Sequence, residues 1–200
     1  ITKDKEEETL NKFSLINIKY AVVMNQFWQH KNHLVVFEAI KILAKHKNNI
    51  NYKFVFTGRM EDYRNPNYIE VLKNLASETI VADHIMSLGF IDRDEQVIIM
   101  KNAEYVIQPS LSEGWGTVVE DAKVLDKTVL LSDIPVHREQ MNEKCILFNP
   151  HDSVALAELI SEECRKEHHD DIEKGIATMY RCAKEYSKGF EQLLCDLEKN

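Results

Sequence analysis

The sequence predicts an α/β fold, a doubly wound Rossmann-like parallel sheet of about six strands followed by a C-terminal helical tail. Short, continuously apolar runs recur along the chain, as expected of strands that are buried on both faces of a sheet. Longer amphipathic segments separate these runs, and such alternation is typical of parallel strands joined by crossover helices. The length of 200 residues suits a single core.

The apolar runs and the helical segments alternate in a regular order. The strands are predicted at 20–24, 54–56, 85–88, 105–107, 128–131 and 145–148. The helices are predicted at about 34–46, 67–79, 93–102, 117–126 and 153–166. Asp92 can cap the third of these helices, with Glu95 as its capping-box partner. Asp152 or Ser153 can cap the last one.

Two segments depart from this alternation. Between 133 and 143, Pro135 leaves room for only a turn or a very short helix. After Lys166 the pattern is helical through about residue 198, with a break expected at Ser187-Lys188-Gly189. We therefore divide the chain into an N-terminal lead-in or linker, a Rossmann-like domain and a helical tail, at 1–18, 19–168 and 169–200.

Composition excludes several classes of protein. Lysine and arginine number 25 against 33 aspartates and glutamates, so the net charge of −8 argues against nucleic acid as a partner. No apolar run reaches the roughly 18 residues of a membrane span. The four cysteines form no C-x-x-C, which favours reduced thiols and a cytoplasmic protein over structural zinc. The first residue is not Met and the start is highly charged, so we expect a fragment without a signal peptide.

Ligands of such sheets bind beyond the carboxyl ends of the strands, and several polar residues follow the predicted strands. Lys31 stands before the first helix after a strand, where the helix dipole already favours an anion such as phosphate. A plain surface lysine is the alternative. Arg59 could supply a second cation for a diphosphate, and the loop around Ile91 could present backbone groups to a planar base.

The loop after the fourth strand is the most informative segment. Gly114 and Gly116 flank Trp115 and let the backbone approach a ligand closely. Glu113 could accept hydrogen bonds from sugar hydroxyls, and Asp121, inside the following helix, could hold a vicinal diol such as ribose. The structural alternative is that Glu113 only caps the helix and Asp121 is a surface residue.

Here the residues resemble a known family. The stretch EGWGTVVEDAKVLDKTVLLSDIP resembles the donor-binding signature of retaining family-four (group 1) glycosyltransferases, which is Glu-Gly-Phe-Gly, four residues, then Glu-Ala. An alignment without gaps places Glu113 on the first acid and Asp121 on the second, while Glu120 falls one residue early. NQFWQHKNH is similar to the Gly-Arg-…-Lys-Gly segment, with Lys31 on the phosphate-binding lysine and Gln26 where an arginine is usual.

The resemblance covers most of the chain, since FNPHDSVALAELI and YSKGFEQLLCDLEK are similar to the last core helix region and the tail helix. It implies the C-terminal, nucleotide-sugar-binding half of a GT-B enzyme of the kind used in polysaccharide biosynthesis, inactive alone, with an acceptor-binding domain before Ile1. The reaction would move a hexose from a nucleoside diphosphate to an acceptor hydroxyl with retention of configuration. The implied catalytic residues are Lys31 and Glu113, and the implied donor-binding residues are Gln26, Arg59, Ile91, Gly114, Trp115, Gly116, Thr117 and Asp121.

The resemblance implies no metal and no cofactor besides the donor. The partners it implies are the sugar nucleotide and the N-terminal domain, through which any membrane association would arise. Two alternatives stay open, half of a nucleotide-sugar epimerase and a non-catalytic Rossmann-like binding module. Dinucleotide enzymes and nucleoside triphosphatases are disfavoured, because G-x-G-x-x-G and G-x-x-x-x-G-K-[ST] are both missing from the first strand's turn.

Overall fold

The computed structural model describes residues 1–45 and 52–197, with residues 189–197 given by their backbone alone. The strands are β1 (Tyr20–Met24), β2 (Lys53–Thr57), β3 (Ile85–Ser87), β4 (Tyr105–Gln108), β5 (Thr128–Ser132) and β6 (Cys145–Phe148). The helices are α1 (Lys3–Lys12), α2 (His33–Lys45), α3 (Pro66–Ser77), α4 (Thr79–Ala82), α5 (Arg93–Asn102), α6 (Thr117–Val124), α7 (Pro135–Gln140), α8 (Ser153–Glu163) and α9 (Ile172–Leu197). A short 3-10 turn, Gln29–Lys31, precedes α2.

The six strands form one sheet in the order β3-β2-β1-β4-β5-β6, with every pair parallel. This confirms the predicted fold class. All residues of β1 and β4 are buried, as central strands covered on both faces must be. After β1 the chain adds β2 and β3 toward one edge of the sheet, and after β4 it adds β5 and β6 toward the other edge. The topological switch point therefore lies between the carboxyl ends of β1 and β4.

Side chains of the sheet alternate between two apolar layers. Ala21 and Val23 of β1 face one layer, and Val22 faces the other. Helices α2 and α8 cover the first layer with Phe37, Ile40, Leu156 and Ile160, whereas α5 and α6 cover the second with Ile99, Met100, Val119 and Ala122. As a result α2 and α6 approach the switch point from opposite faces of the sheet.

Local signals in the sequence set several helix boundaries. The capping box of Asp92 and Glu95 forms at the start of α5, as predicted. The carboxylate of Asp152 accepts hydrogen bonds from the backbone N–H groups of Val154 and Ala155, 3.0 and 2.9 Å away. α7 is six residues long and begins at Pro135, in agreement with the very short helix expected there. The first predicted helix, at about 34–46, ends at a residue that lies outside the described ranges.

The two ends of the chain differ from the expectations. The lead-in contains α1, which packs on α5 with Lys12 Nζ 2.6 Å from Glu95 Oε1 and Lys101 Nζ 2.6 Å from Glu6 Oε2. The break expected at residues 187–189 is wrong, because α9 continues through them. A glycine inside a helix costs only about 1 kcal/mol relative to alanine, too little to end a 26-residue helix.

Other expectations concern the thiols and the membrane. Cys145, Cys164 and Cys182 carry free thiols, and the side chain of Cys195 lies outside the described residues. Within the described ranges, no helix is both long enough and apolar enough to cross a bilayer.

Candidate functional site

A cavity of about 240 Å³ lies at the switch point, beyond the carboxyl ends of the central strands. It is lined by all the site residues predicted from the sequence except Arg59 and Gly114. The lining comes from the loops after β1, β2, β3 and β4 and from the first turns of α5 and α6. Residues far apart in the sequence therefore meet where the fold predicts a ligand.

Lys31 and Glu113 form an ion pair at the inner wall of the cavity. The ammonium Nζ of Lys31 lies 2.6 Å from Oε1 and 2.8 Å from Oε2 of Glu113. The side chains are 15% and 9% exposed. Asn32, with a φ of 56°, ends the turn that carries Lys31. The Asn32 amide donates to the carbonyls of Pro109 and Pro150, at 3.1 and 2.8 Å, so this turn is held against two other loops.

Further donors converge on the same carboxylate. Gln108 Nε2 and Ser110 Oγ donate to Glu113 Oε1 over 2.9 and 2.7 Å, and Asn25 Nδ2 donates to Gln108 Oε1 over 2.9 Å. Burial works to raise the pKa of Glu113, but the hydrogen bonds from Lys31 and Ser110 outweigh it and hold the pKa below its ordinary value. Glu113 is therefore a charged acceptor fixed in one position.

The start of α6 forms the floor beside this pair. Trp115 is 54% exposed, and Gly116 precedes the first helical residue, Thr117. The N–H of Gly116 donates to Gln140 Oε1 over 3.0 Å. Among the described residues, no hydrogen bond uses the N–H groups of Thr117 or Val118. Both residues line the cavity, so their N–H groups are available to an anion.

The structure separates the two candidate acids of α6. Asp121 lines the cavity, and Arg93 Nη1 and Nη2 each donate to one of its oxygens over 2.6 Å. Glu120 points elsewhere: Gln140 Nε2 lies 2.8 Å and Lys123 Nζ 2.9 Å from its oxygens. Successive helical side chains diverge by about 100° because a turn has 3.6 residues, which is why only one of the two acids can face the cavity.

The side chains of Gln26 and Arg59 are not arranged to bind one diphosphate together. Gln26 lines the cavity, and its Oε1 accepts the backbone N–H of Arg59 over 2.9 Å. The Arg59 side chain is 68% exposed and lies in the neighbouring groove, 3.6 Å from Glu61 and over the ring of Phe90. The structure therefore does not bring the Arg59 guanidinium into the cavity.

Arg93 is the cavity cation that sequence reasoning missed. It is the first residue of α5, a position where a basic residue opposes the helix dipole. This unfavourable placement is the one feature of the sequence that could have indicated a binding role for Arg93. Its carboxylate partner, Asp121, is 28 residues away, so the pairing could not be deduced from local spacing.

The histidines of this region are structural. His33 is fully buried and stacks on Phe27 with ring centroids 4.1 Å apart, and burial lowers its pKa to about 3. His137 is buried as well, with Nδ1 2.9 Å from the carbonyl oxygen of Ser132. In the part of the chain that the structure describes, no group of three or more His, Cys, Asp or Glu side chains could hold a metal ion.

Known proteins resemble this chain in sequence. Residues 6–178 match the sequence profile of the family described as Glycosyl transferases group 1. The chain is 25% identical, over 148 residues, to the O-antigen chain mannosyltransferase RfbU of Salmonella typhimurium, a match that covers 72% of this chain and 39% of RfbU.

Solved structures share the fold. A glycosyltransferase from Rickettsia africae superposes with a TM-score of 0.67 at 18% identity, over 92% of this chain and 52% of that one. HepE of Anabaena, solved in complex with UDP and glucose, superposes with a TM-score of 0.67 at 14% identity, over 92% of this chain and 53% of that one. The chain spans about half the length of these relatives or less, and its fold matches about half of GT-B glycosyltransferase chains. Since the family profile covers most of its length, this chain belongs to the group 1 glycosyltransferases.

Proposed function

We propose that the cavity binds the donor of a glycosyl transfer, a hexose attached to a nucleoside diphosphate, and that the hexose moves to an acceptor hydroxyl with retention of configuration. The observation that carries this proposal is the Lys31–Glu113 pair, held at 2.6 Å beside the start of α6. It places a cation for the diphosphate and an acceptor for sugar hydroxyls at adjacent points of one cavity.

The diphosphate is the group that gains charge in the reaction. When the bond from the anomeric carbon to the phosphate oxygen breaks, the electron pair stays on the diphosphate. Lys31 and the free N–H groups of Thr117 and Val118 are arranged before the reaction to stabilise this charge. Arg93, which also lines the cavity, adds a second cation.

The two carboxylates suit the two sugars of such a donor. Glu113 Oε1 is occupied by three donors, whereas the only described partner of Oε2 is Lys31, so Oε2 can accept a hexose hydroxyl. An ionised carboxylate has about four acceptor positions. Arg93 uses two of those on Asp121, which leaves room for the two hydroxyls of a ribose.

Related proteins support the substrate class. HepE was solved with UDP and glucose, and RfbU is named as a mannosyltransferase, so both handle hexoses. Because the chain spans about half of these relatives, we further propose that the acceptor is bound by a second domain and that this chain alone does not turn over.

The test is binding of UDP, GDP and ADP, with inorganic phosphate as a control. At ten times Kd a ligand stabilises the folded chain by about 1.4 kcal/mol, which raises the Tm by about 3 °C. We expect one diphosphate to raise the Tm of the wild type and of Lys41→Ala but not of Lys31→Ala. Lys41 is a matched control, because its ammonium also lies 2.6 Å from a glutamate, Glu78, but outside the cavity. If no nucleoside diphosphate binds, or Lys31→Ala binds as well as wild type, the proposal is wrong.

A further inference from the structure

The side chain of Gln140 contacts both polar groups of the Gly116 backbone. Its Oε1 accepts the Gly116 N–H over 3.0 Å, and its Nε2 donates to the Gly116 carbonyl oxygen over 3.0 Å. The same Nε2 donates to Glu120 Oε1 over 2.8 Å. Gln140 is only 1% exposed, so these bonds have no competition from bulk water.

The two partners on α6 lie at the point where the loop becomes a helix. Gly116 is the N-cap of α6, and its carbonyl oxygen also accepts the N–H groups of Val119 and Glu120. A Cβ at position 116 would lie 3.1 Å from Gln140 Oε1, which explains why the amide can approach this peptide so closely. The orientation of the first turn of α6 therefore depends on a residue of another helix.

The helix that carries Gln140 is itself anchored. Nδ1 of His137, one turn earlier in α7, lies 2.9 Å from the Ser132 carbonyl oxygen, and Ser132 Oγ donates to the Ser110 carbonyl oxygen over 2.6 Å. The end of β5 is thus joined to the loop that leads to Glu113. This connection holds Gln140 in a fixed position relative to the inner wall of the cavity.

From this geometry we propose that Gln140 is a positioning residue for donor binding. By holding both sides of the Gly116 backbone, it turns the free N–H groups of Thr117 and Val118 toward the diphosphate. The inference rests on the proposed function, because it assigns to Gln140 a part in binding the same ligand. Gln140 itself does not line the cavity, so it acts through α6.

Two substitutions test the proposal by measuring Kd for the nucleoside diphosphate that binds the wild type. Gln140→Leu removes all three hydrogen bonds at similar volume. Gln140→Glu keeps an acceptor for the Gly116 N–H but places a carboxylate oxygen against the Gly116 carbonyl and Glu120. We expect both to raise Kd by at least about tenfold, equal to about 1.4 kcal/mol. Titrations are run well below the Tm of each variant, so that only folded protein is compared.

Asn102→Asp is the matched control for the change from amide to acid. Asn102 Nδ2 also donates to a glutamate, Glu6, and to a backbone carbonyl, that of Ile98, at the far end of α5. Its Kd should equal that of the wild type. Adding Glu120→Gln to Gln140→Glu places an amide donor opposite the new carboxylate. The double variant should recover part of the lost affinity, whereas Glu120→Gln alone should bind normally.

The outcomes separate a positioning role from a purely structural one. A purely structural role would lower the Tm of the Gln140 variants and leave the Kd of the folded protein unchanged, which would overturn the inference while the proposed function stands. Failure of the double variant to regain any affinity would also overturn it. If the wild type itself binds no nucleoside diphosphate, the proposed function and this inference fall together.

Discussion

Two ion pairs line the cavity, and their surroundings differ. The inner pair, Lys31–Glu113, is mostly buried, and Gln108 and Ser110 donate to the same carboxylate. The outer pair, Arg93–Asp121, is a bidentate ion pair in which the arginine side chain is 61% exposed. The inner pair has its geometry fixed by neighbours, whereas the outer pair depends on its two members alone.

This difference in burial indicates which of the two carboxylates can accept a ligand in addition to its present partner. Removing one member of a buried pair leaves a charge without compensation and costs about 3–5 kcal/mol, whereas exposed pairs contribute about 0–1 kcal/mol. The inner pair is therefore suited to hold charge in place before a ligand arrives. The outer pair can share its carboxylate with a ligand at little cost.

The largest effect is expected on breaking the inner pair in the enzyme. Lys31→Ala should lower kcat/KM for hexosyl transfer by about 10²–10³, because it removes a preorganised charge beside the departing diphosphate. The measurement is made on this chain joined to the acceptor-binding domain proposed above, with a hexosyl donor and an acceptor. Lys41→Ala is the control and should retain wild-type kinetics. Equal kinetics for the two variants would show that the inner pair is only structural.

The pH dependence of stability sharpens the same comparison. The folded pKa of Glu113 lies below its unfolded value, so its charge stabilises the fold above the ordinary carboxyl pKa. This contribution is lost as the pH falls through the lowered pKa. Glu113→Gln should cost about 3 kcal/mol near neutral pH, and its deficit against wild type should shrink as the pH falls below the ordinary glutamate pKa of about 4.3. Urea unfolding across that range is the measurement, and a deficit independent of pH would contradict the assignment.

Asp121 of the outer pair should matter for affinity more than for stability. Asp121→Asn keeps the shape but removes the charge, and we expect Kd for the nucleoside diphosphate to rise about tenfold, equal to about 1.4 kcal/mol. Glu120→Gln, the same change from acid to amide, is the control on the adjacent position, which faces away from the cavity. Calorimetric titration measures both. A larger loss from Glu120→Gln would reverse the choice between the two acids.

The smallest effect on stability is expected for Arg93→Ala. Because the guanidinium is well exposed, its loss should change the unfolding free energy by less than about 1 kcal/mol, and that change should fall further as salt is added. Urea unfolding at low and high ionic strength checks this expectation. A change of several kcal/mol would mean that the outer pair resembles the inner one.

The sequence predicted the features that depend on local patterns. Buried runs revealed β1 and β4, and the capping box of Asp92 and Glu95 predicted the start of α5. The resemblance to the glycosyltransferase signature favoured Asp121 over Glu120, and Asp121 lines the cavity. These patterns are readable because helix and strand periods fix which side chains share a face.

The parts that were missed depend on contacts between elements that are far apart in the sequence. Arg93 meets Asp121 and Gln140 meets Gly116 from separate helices, so no local spacing identifies either pair. The break expected near Gly189 is wrong for the opposite reason. Glycine is a local signal, but its energetic penalty is smaller than the stabilisation that a long helix gains from its cooperativity. Arg59 was assigned to the cavity because it follows the second strand closely in the sequence. Its side chain lies in the adjacent groove instead.

Backbone contacts hold together the loops after β1, β2 and β3, which line the cavity. Gly58, with a φ of 102°, donates its N–H to the Gly89 carbonyl over 2.7 Å, and a Cβ on Gly58 would lie 2.4 Å from the Asn25 oxygen. Arg93 belongs to none of these contacts, whereas Gln26 adds a side-chain hydrogen bond to the loop after β2. Variation at Arg93 can therefore alter ligand preference while the loops keep their course. These loops are thus a scaffold on which new specificities can be evolved or engineered, provided that Gly58 is retained.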